Sequence, residues 1–325
     1  MKQKVVITRK LPKEASDKLR EMYEVDEWPH EDAPIPRDVL KEKLAEASGL
    51  LCLLTEEMDE EMISCAKNLK VISNMAAGYN NIDIAAASKN GIAVTNTPGV
   101  LTETTADLTF ALLMATARRI PEAENYLKNG EWKTWSPMQL TGQDVFGATL
   151  GIIGLGRIGE SVAKRAKGFD MKILYHNRSR KPESEKELGI EYTDFQTLLT
   201  ESDFVCIMTP LTPQTKNLIG EDELALMKET SILLNTARGG IVDEKALYQA
   251  LANHEIWAAG LDVFEKEPIE LDHPLLTLPN VVTLPHIGSA SIKTRKKMAD
   301  LAVENLTAVL EDRTPRHLVT LKQEK

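Results

Sequence analysis

Three ionisable side chains stand just beyond apolar runs in the last third of the chain. Arg238 follows the run 232–235 in Thr236-Ala-Arg-Gly-Gly240. Glu267 follows the run 257–261 in Asp262-Val-Phe-Glu-Lys-Glu-Pro268, and His286 follows 281–283 in Leu284-Pro-His-Ile-Gly-Ser-Ala290. If those runs are neighbouring parallel strands, about 5 Å apart, their ends bring the three groups into one cleft. An arginine there would clamp an anionic substrate and polarise a carbonyl. A histidine would move a proton, and a carboxylate beside the imidazole favours its protonated form. Each residue alone has a duller reading. Arg238 suits a helix-capping surface cation, Glu267 is one of several acids over 262–270, and His286 suits an ordinary loop histidine. The joint placement is what argues for catalysis. The other histidines lie in polar ends (His30, His317), at a helix end (His254), before a proline (His273) or in the turn discussed below (His176).

A second motif supplies the chemistry's other half. Residues 150–153 form an apolar run that enters Gly154-Leu155-Gly156-Arg157-Ile158-Gly159, and a helical pattern follows from Ser161. This strand, glycine turn and helix is the context a dinucleotide fingerprint requires. Gly154 makes the tight turn, Gly156 lets backbone approach a pyrophosphate, and Gly159 lets the helix pack close. The helix N-terminus then offers free N–H groups to the phosphates. Beside a nicotinamide, the Arg, Glu and His fit reduction of a 2-oxo acid. Arg238 would clamp the carboxylate, and His286 would protonate the developing alkoxide as hydride reaches carbon.

An acid about 20 residues past the glycines ordinarily binds the adenosine ribose. Here the second run ends Tyr175-His-Asn-Arg-Ser-Arg-Lys181, with no acid until Glu183; Asp170 precedes that run instead of closing it. Asn177, Arg178, Ser179 and Arg180 therefore suit a 2′-phosphate, because guanidinium forms charge-assisted hydrogen bonds with phosphate. The expectation is NADPH preferred, with NADH possible.

The positioning elements alternate in βα order. Strands are expected at 4–8, 23–27, 49–54, 70–74 and 92–95, with helices at 13–22, 37–45, 59–66 and 81–89 between them. A long helix, 105–118, uncharged over 108–117, suits burial between two lobes. The segment 121–142 breaks the rhythm and carries Trp132 and Trp135. It suits either a surface loop with packed indoles or an arm reaching a partner subunit. Strands follow at 149–153, 172–175, 204–208, 232–235, 257–261 and 281–283, with helices at 157–168, 195–200, 222–227 and 244–252. A last helix at 292–311 leads into a polar tail. The fold class is α/β, with two doubly wound parallel-sheet domains: a Rossmann dinucleotide-binding domain and a smaller flavodoxin-like one. The expected boundaries are 1–100 with 289–325 for substrate binding and 101–288 for NAD(P) binding.

Composition bounds the rest. A chain of 325 residues, 42% hydrophobic and 27% charged, suits two globular domains. A net charge of −10 without a long basic run argues against nucleic acid. Cys52, Cys65 and Cys206 lie in apolar surroundings without ligand spacing, so no metal and no disulfide are expected. No apolar run has the length of a signal peptide or a membrane span. A cytoplasmic protein is expected, with no membrane partner.

GLGRIG at 154–159, NTARGGIVDEKAL at 235–247, GLDVFEKEP at 260–268 and LPHIGSAS at 284–291 resemble the D-isomer-specific 2-hydroxyacid dehydrogenases, nearly end to end. The resemblance implies that Arg238, Glu267 and His286 are the catalytic set and that Asp262 holds the nicotinamide carboxamide. It extends the cofactor set to Thr105, Thr209, Pro210, Thr236 and Gly288. The loop Met75-Ala-Ala-Gly-Tyr-Asn80 resembles the family's substrate loop, implying that the N–H groups of Ala77 and Gly78 bind a carboxylate; the family more often has Val where Ala77 stands. Leu51-Cys-Leu-Leu-Thr55, Gly130-Glu-Trp-Lys-Thr-Trp135 and the acid-free turn are most similar to the glyoxylate/hydroxypyruvate reductase branch, which includes 2-ketogluconate reductases. That branch implies a homodimer, with Leu54 and a partner's Trp135 at the substrate site, and small 2-oxo acids as substrates. Glyoxylate and hydroxypyruvate are the expected substrates, and three alternatives stand: a 2-ketogluconate reductase (gluconate 2-dehydrogenase), an NAD-dependent dehydrogenase run oxidatively, and a dinucleotide-sensing corepressor on the same fold.

Overall fold

The computed structural model describes residues 2–320. The chain divides into two units, residues 1–101 with 290–325, and residues 102–289.

The first unit begins with β1 (Lys4–Ile7), α1 (Lys13–Met22), β2 (Glu24–Glu27), α2 (Arg37–Leu44), β3 (Gly49–Cys52), α3 (Glu60–Cys65), β4 (Val71–Asn74), α4 (Ile84–Lys89) and β5 (Ala93–Thr95). Its strands are short apolar runs; β3 and β4 are buried at every position, as both-face-covered parallel strands must be. Helix starts are set by side chains that satisfy the first free amides: Asp59 accepts from Met62 N–H and Asp83 from Ala86 N–H.

The second unit runs α5 (Thr102–Ala117), α6 (Ile120–Lys128), β6 (Thr149–Ile153), α7 (Arg157–Lys167), β7 (Lys172–His176), α8 (Pro182–Leu188), β8 (Glu191–Tyr192), α9 (Phe195–Glu201), β9 (Phe204–Ile207), α10 (Glu221–Leu226), β10 (Ile232–Asn235), α11 (Glu244–Ala252), β11 (Ala258–Leu261), a 3₁₀ turn (Pro274–Thr277) and β12 (Val281–Thr283). The chain then returns to the first unit with α12 (Ile292–Leu310) and β13 (Leu318–Val319).

The first sheet has strand order β13-β5-β4-β3-β1-β2 and is parallel except for β13, which pairs antiparallel with β5. The second has order β12-β11-β10-β9-β6-β7-β8 and is parallel throughout. Its order reverses at β6, which lies between β7 and β9; this is the switch point beyond which doubly wound sheets bind ligands. The core of the second unit layers Leu112, Leu113 and Phe110 of α5 with Val162 and Ala166 of α7 against Leu150, Ile152, Ile232 and Leu234 of the sheet.

Several expected elements differ. The nucleotide-type sheet has seven strands, not six: Glu191–Tyr192 is a two-residue edge strand too short and polar to show alternation, and α8 before it starts on a proline. Residues 121–128 are not irregular, because Ile120–Lys128 is a helix with no buried residue, stabilised at its start by Pro121 and Glu122. Trp132 and Trp135 beyond it are not packed indoles; they are 55% and 75% exposed. The helix expected at 105–118 begins at Thr102 and lies within the second unit against α7, β10 and β11. The end after α12, expected as a polar tail, holds β13; the expected domain's last residues, 321–325, lie outside the described residues.

Candidate active site

β10, β11 and β12 are neighbours in register, with Asn235 opposite Leu261 and Leu261 opposite Thr283. Arg238, Glu267 and His286 therefore leave the sheet from three adjacent strand ends. The loop after β10 turns on Gly240 (φ +76°) and is pressed onto the backbone at Phe264–Glu265 through Gly239. Asn235 braces it by donating from Nδ2 to the Arg238 carbonyl at 2.9 Å and accepting at Oδ1 from Ala237 N–H at 3.1 Å.

His286 Nδ1 lies 2.7 Å from Glu267 Oε2, and the two side chains are 25% and 28% exposed. The other carboxylate oxygen accepts from Phe264 N–H at 3.0 Å, which fixes the plane of the carboxylate. His286 itself sits at φ +53°, the left-handed region that non-glycine residues rarely occupy, and its N–H donates to the Asp262 carbonyl at 2.9 Å. With Nδ1 committed to Glu267, Nε2 is the nitrogen left to exchange a proton with a ligand. Burial pushes Glu267 up, but the hydrogen bond and charge of His286, the Phe264 N–H and Arg238 together outweigh it and hold the carboxyl below the usual range. Arg238 donates from Nη1 to the Ala237 carbonyl at 2.7 Å. Burial lowers its pKa, opposed by the charge of Glu267. A guanidinium stays charged under such a shift.

The glycine turn is built as a dinucleotide cradle. Gly154 has φ +100°, and a Cβ there would sit 2.7 Å from Thr209 N. A Cβ on Gly159 would meet the Gly154 carbonyl at 2.8 Å, so the start of α7 lies directly on the turn. At exposed Gly156, the N-cap of α7, no atom lies within 4 Å of that position, leaving room for a phosphate at the helix N-terminus. Thr105, Asp262 and Gly288 meet: a Cβ on Gly288 would lie 3.3 Å from Asp262 Oδ2 and 3.4 Å from Thr105 Cγ2. Asp262 is fully buried; Oδ1 accepts from Ile287 N–H at 2.8 Å, while Oδ2 has no hydrogen-bond partner among the described residues. Burial raises its pKa, against the lowering pull of the Ile287 and Gly288 amides and His286. A buried acceptor without a donor is the group a carboxamide NH₂ would satisfy, so these residues fit a nicotinamide dinucleotide. Thr236 is buried with its hydroxyl 2.6 Å from that of Thr109, a residue the sequence did not single out.

The turn after β7 is more committed than its sequence suggests. Asn177 Oδ1 accepts from Leu155 N–H at 2.6 Å, so its amide stitches the glycine turn together instead of reaching outward. Arg180 is held by Glu185 through Nε (2.8 Å) and Nη2 (2.6 Å), and Glu185 also accepts from Tyr175 OH at 2.7 Å. These partners hold the Glu185 carboxyl down at about 2. Glu185 was missed because it lies in a helix that charge pattern alone did not reveal. Arg178 and Ser179 are exposed at the tip; Thr209 and Pro210 lie at the end of β9, with Pro210 exposed.

In the first unit, Ala77 and Gly78 follow β4 and Leu54 follows β3, all partly exposed. The described residues contain no group of three or more His, Cys, Asp or Glu able to hold a metal ion, and no helix long and apolar enough to cross a membrane. Cys52 and Cys206 are buried, and burial pushes the Cys206 thiol up to about 12.

Residues 110–288 match the model of the D-isomer specific 2-hydroxyacid dehydrogenase NAD binding domain. A glyoxylate reductase of Korarchaeum cryptofilum is 52% identical, covering 98% of this chain and 96% of its own. A crystal structure of a Thermus thermophilus protein superimposes with a TM-score of 0.91 at 47% identity, covering 98% of this chain and all of that one. An NADPH-dependent glyoxylate/hydroxypyruvate reductase of Sinorhizobium meliloti, solved in complex with NADP and malonate, gives 0.85 at 33% identity over 98% and 97% of the two chains. The chain belongs to the D-isomer specific 2-hydroxyacid dehydrogenase family and is an NAD(P)-dependent oxidoreductase.

Proposed function

We propose that this protein reduces glyoxylate and hydroxypyruvate to glycolate and D-glycerate, with NADPH as the preferred reductant. The observation that carries the chemistry is the 2.7 Å contact between His286 Nδ1 and Glu267 beside the buried Arg238 loop. Arg238 binds the substrate carboxylate and draws electron density from the ketone oxygen. In the first unit, the backbone N–H groups of Ala77 and Gly78 are donors suited to a carboxylate, with Leu54 in the neighbouring turn after β3. When bound, a dihydronicotinamide would supply hydride to the carbonyl carbon. As the carbon–oxygen π pair moves onto oxygen, His286 Nε2 gives that oxygen its proton, and Glu267 steadies the imidazolium beforehand. Neutral imidazole then regains a proton from water.

Thr105, Asp262 and Gly288 hold the nicotinamide end, with Thr236, Thr209 and Pro210 along the strand ends. Gly154 to Gly159 hold the pyrophosphate, and Arg178 with Ser179 and Arg180 meets the 2′-phosphate. The names of the relatives from Korarchaeum and Sinorhizobium support the substrate and the cofactor. The exposed arm carrying Trp132, Trp135 and Met138 supports a homodimer in which Trp135 reaches the neighbouring subunit's substrate. Family membership and the complete Arg, Glu and His set favour an enzyme over a corepressor.

The test is the initial rate of NADPH and NADH oxidation with glyoxylate, hydroxypyruvate, pyruvate and 2-ketogluconate in parallel. Higher kcat/KM with NADPH and the two- and three-carbon acids is expected. Preference for NADH overturns the cofactor assignment, and preference for 2-ketogluconate overturns the substrate.

A further inference from the structure

The loop after β4 presents its amides in an unusual way. The carbonyl of Ala76 accepts from Thr97 N–H at 2.8 Å, that of Ala77 from Asn96 Nδ2 at 2.7 Å, and that of Gly78 from Asn74 Nδ2 at 3.0 Å. In a trans peptide the N–H points opposite to the carbonyl of the same plane. Three captured carbonyls therefore turn the N–H groups of Ala77, Gly78 and Tyr79 away from the donors that hold them. Among the described residues, none of these three N–H groups donates to a backbone acceptor. Successive free amides of this kind form an anion-binding concavity.

The side-chain amides that hold the loop are buried, Asn74 fully and Asn96 at 8% exposure. Asn74 directs its second N–H to Asn81 Oδ1 at 3.1 Å. Asn81 Nδ2 in turn donates to the carbonyls of Leu53 (3.1 Å) and Glu56 (3.0 Å). One chain of amides thus ties the 75–79 loop to the turn that carries Leu54. Both side-chain N–H hydrogens of Asn74 and both of Asn81 are used, which holds this pair of amides in one arrangement.

We propose that Asn74, Asn81 and Asn96 are positioning residues for the substrate carboxylate. They hold carbonyls inward so that the loop amides and Leu54 keep one geometry toward a small 2-oxo acid. This rests on the reading that the 75–79 loop takes the carboxylate. Preorganised amides bind an anion without first having to reorient, so loosening them weakens the substrate and not the dinucleotide.

The experiment compares Asn74→Ala, Asn96→Ala and Gly78→Pro, the last deleting one of the amides itself, in the full-length protein. Steady-state kinetics with glyoxylate and inhibition by oxamate, a carboxylate that cannot be reduced, are read beside NADPH binding and circular dichroism. The expected result for both asparagine variants is a rise of about ten-fold in KM for glyoxylate and in Ki for oxamate together. NADPH affinity and kcat at saturation should stay within about three-fold of the parent. Folded variants with lower thermal stability but unchanged KM and Ki overturn the proposal, as does a fall in kcat alone. If Gly78→Pro leaves KM and Ki unchanged, the carboxylate reading itself fails. If only Gly78→Pro raises them, the loop binds substrate but the asparagines do not position it. Asn96→Ser, which shortens the donor and keeps a polar group, replaces Asn96→Ala should that variant not fold.

Discussion

Gly239 and Phe264 are in backbone contact so close that a Cβ on Gly239 would lie 1.8 Å from the Phe264 carbonyl oxygen. This contact presses the Arg238 loop onto the loop that ends in Glu267. Gly239→Ala must separate the two, at about 1–3 kcal/mol of stability, the usual cost of overpacking. Thermal unfolding should register that loss. Steady-state kinetics should show kcat/KM for glyoxylate falling further than NADPH affinity, because the displaced group is Arg238.

His286→Ala should lower kcat by about 10²–10⁴-fold, the range that positioned proton transfer contributes. NADPH affinity, followed by fluorescence titration, should stay near the parent value. Turnover within a few-fold of the parent would remove His286 from the proton-transfer step.

The carboxyl of Glu267 is held below its ordinary range, so it remains ionised from neutrality down past about pH 4.3. A depressed pKa stabilises the fold above the unfolded value and loses that contribution as pH falls through the folded one. The acid limb of kcat should accordingly lie below about pH 4.3, and Glu267→Gln should erase it while lowering kcat at pH 7. A pH–rate profile from 3 to 8 checks both. An acid limb near pH 6 in the parent would contradict the assignment.

Glu185 holds Arg180, the guanidinium proposed to meet a 2′-phosphate, through two hydrogen bonds. Its carboxyl, held at about 2, keeps the pair ionised throughout the physiological range. Glu185→Gln should free the guanidinium and lower KM for NADPH by several-fold while leaving KM for NADH unchanged. Arg178→Ala with Arg180→Ala should raise KM for NADPH by about ten-fold or more and spare NADH. An unchanged ratio in both variants would make the turn a solvated surface.

The strand ends that carry Arg238, Glu267 and His286 were legible because each follows an apolar run whose length and boundaries the sequence marks plainly, and parallel order then sets them side by side. The glycine turn was legible for the same reason: Gly154 and Gly159 fill roles that only a missing side chain allows. Glu185 and Asn177 were not, because which partner a polar side chain takes depends on contacts several residues away. Asn74 and Asn96 were hidden for a related reason, since a buried amide near a strand end reads as an ordinary core polar group until the carbonyl it holds is known. The edge strand Glu191–Tyr192 fell below the length at which alternation can be seen.

The first unit is made from both ends of the sequence, with Leu306 and Leu310 of α12 lying over Gly49 and Ser73 donating to the Ala302 carbonyl at 2.8 Å. On the ribosome, residues 1–101 therefore emerge with the apolar side of β3 and β4 bare. They wait for almost the whole remaining chain to be translated before α12 can cover it. The contiguous unit 102–289 faces no such delay and can close while translation continues. Synthesis rate and chaperone supply should thus govern the yield of the discontinuous unit, whereas a truncation before residue 290 should still leave the dinucleotide-type sheet complete.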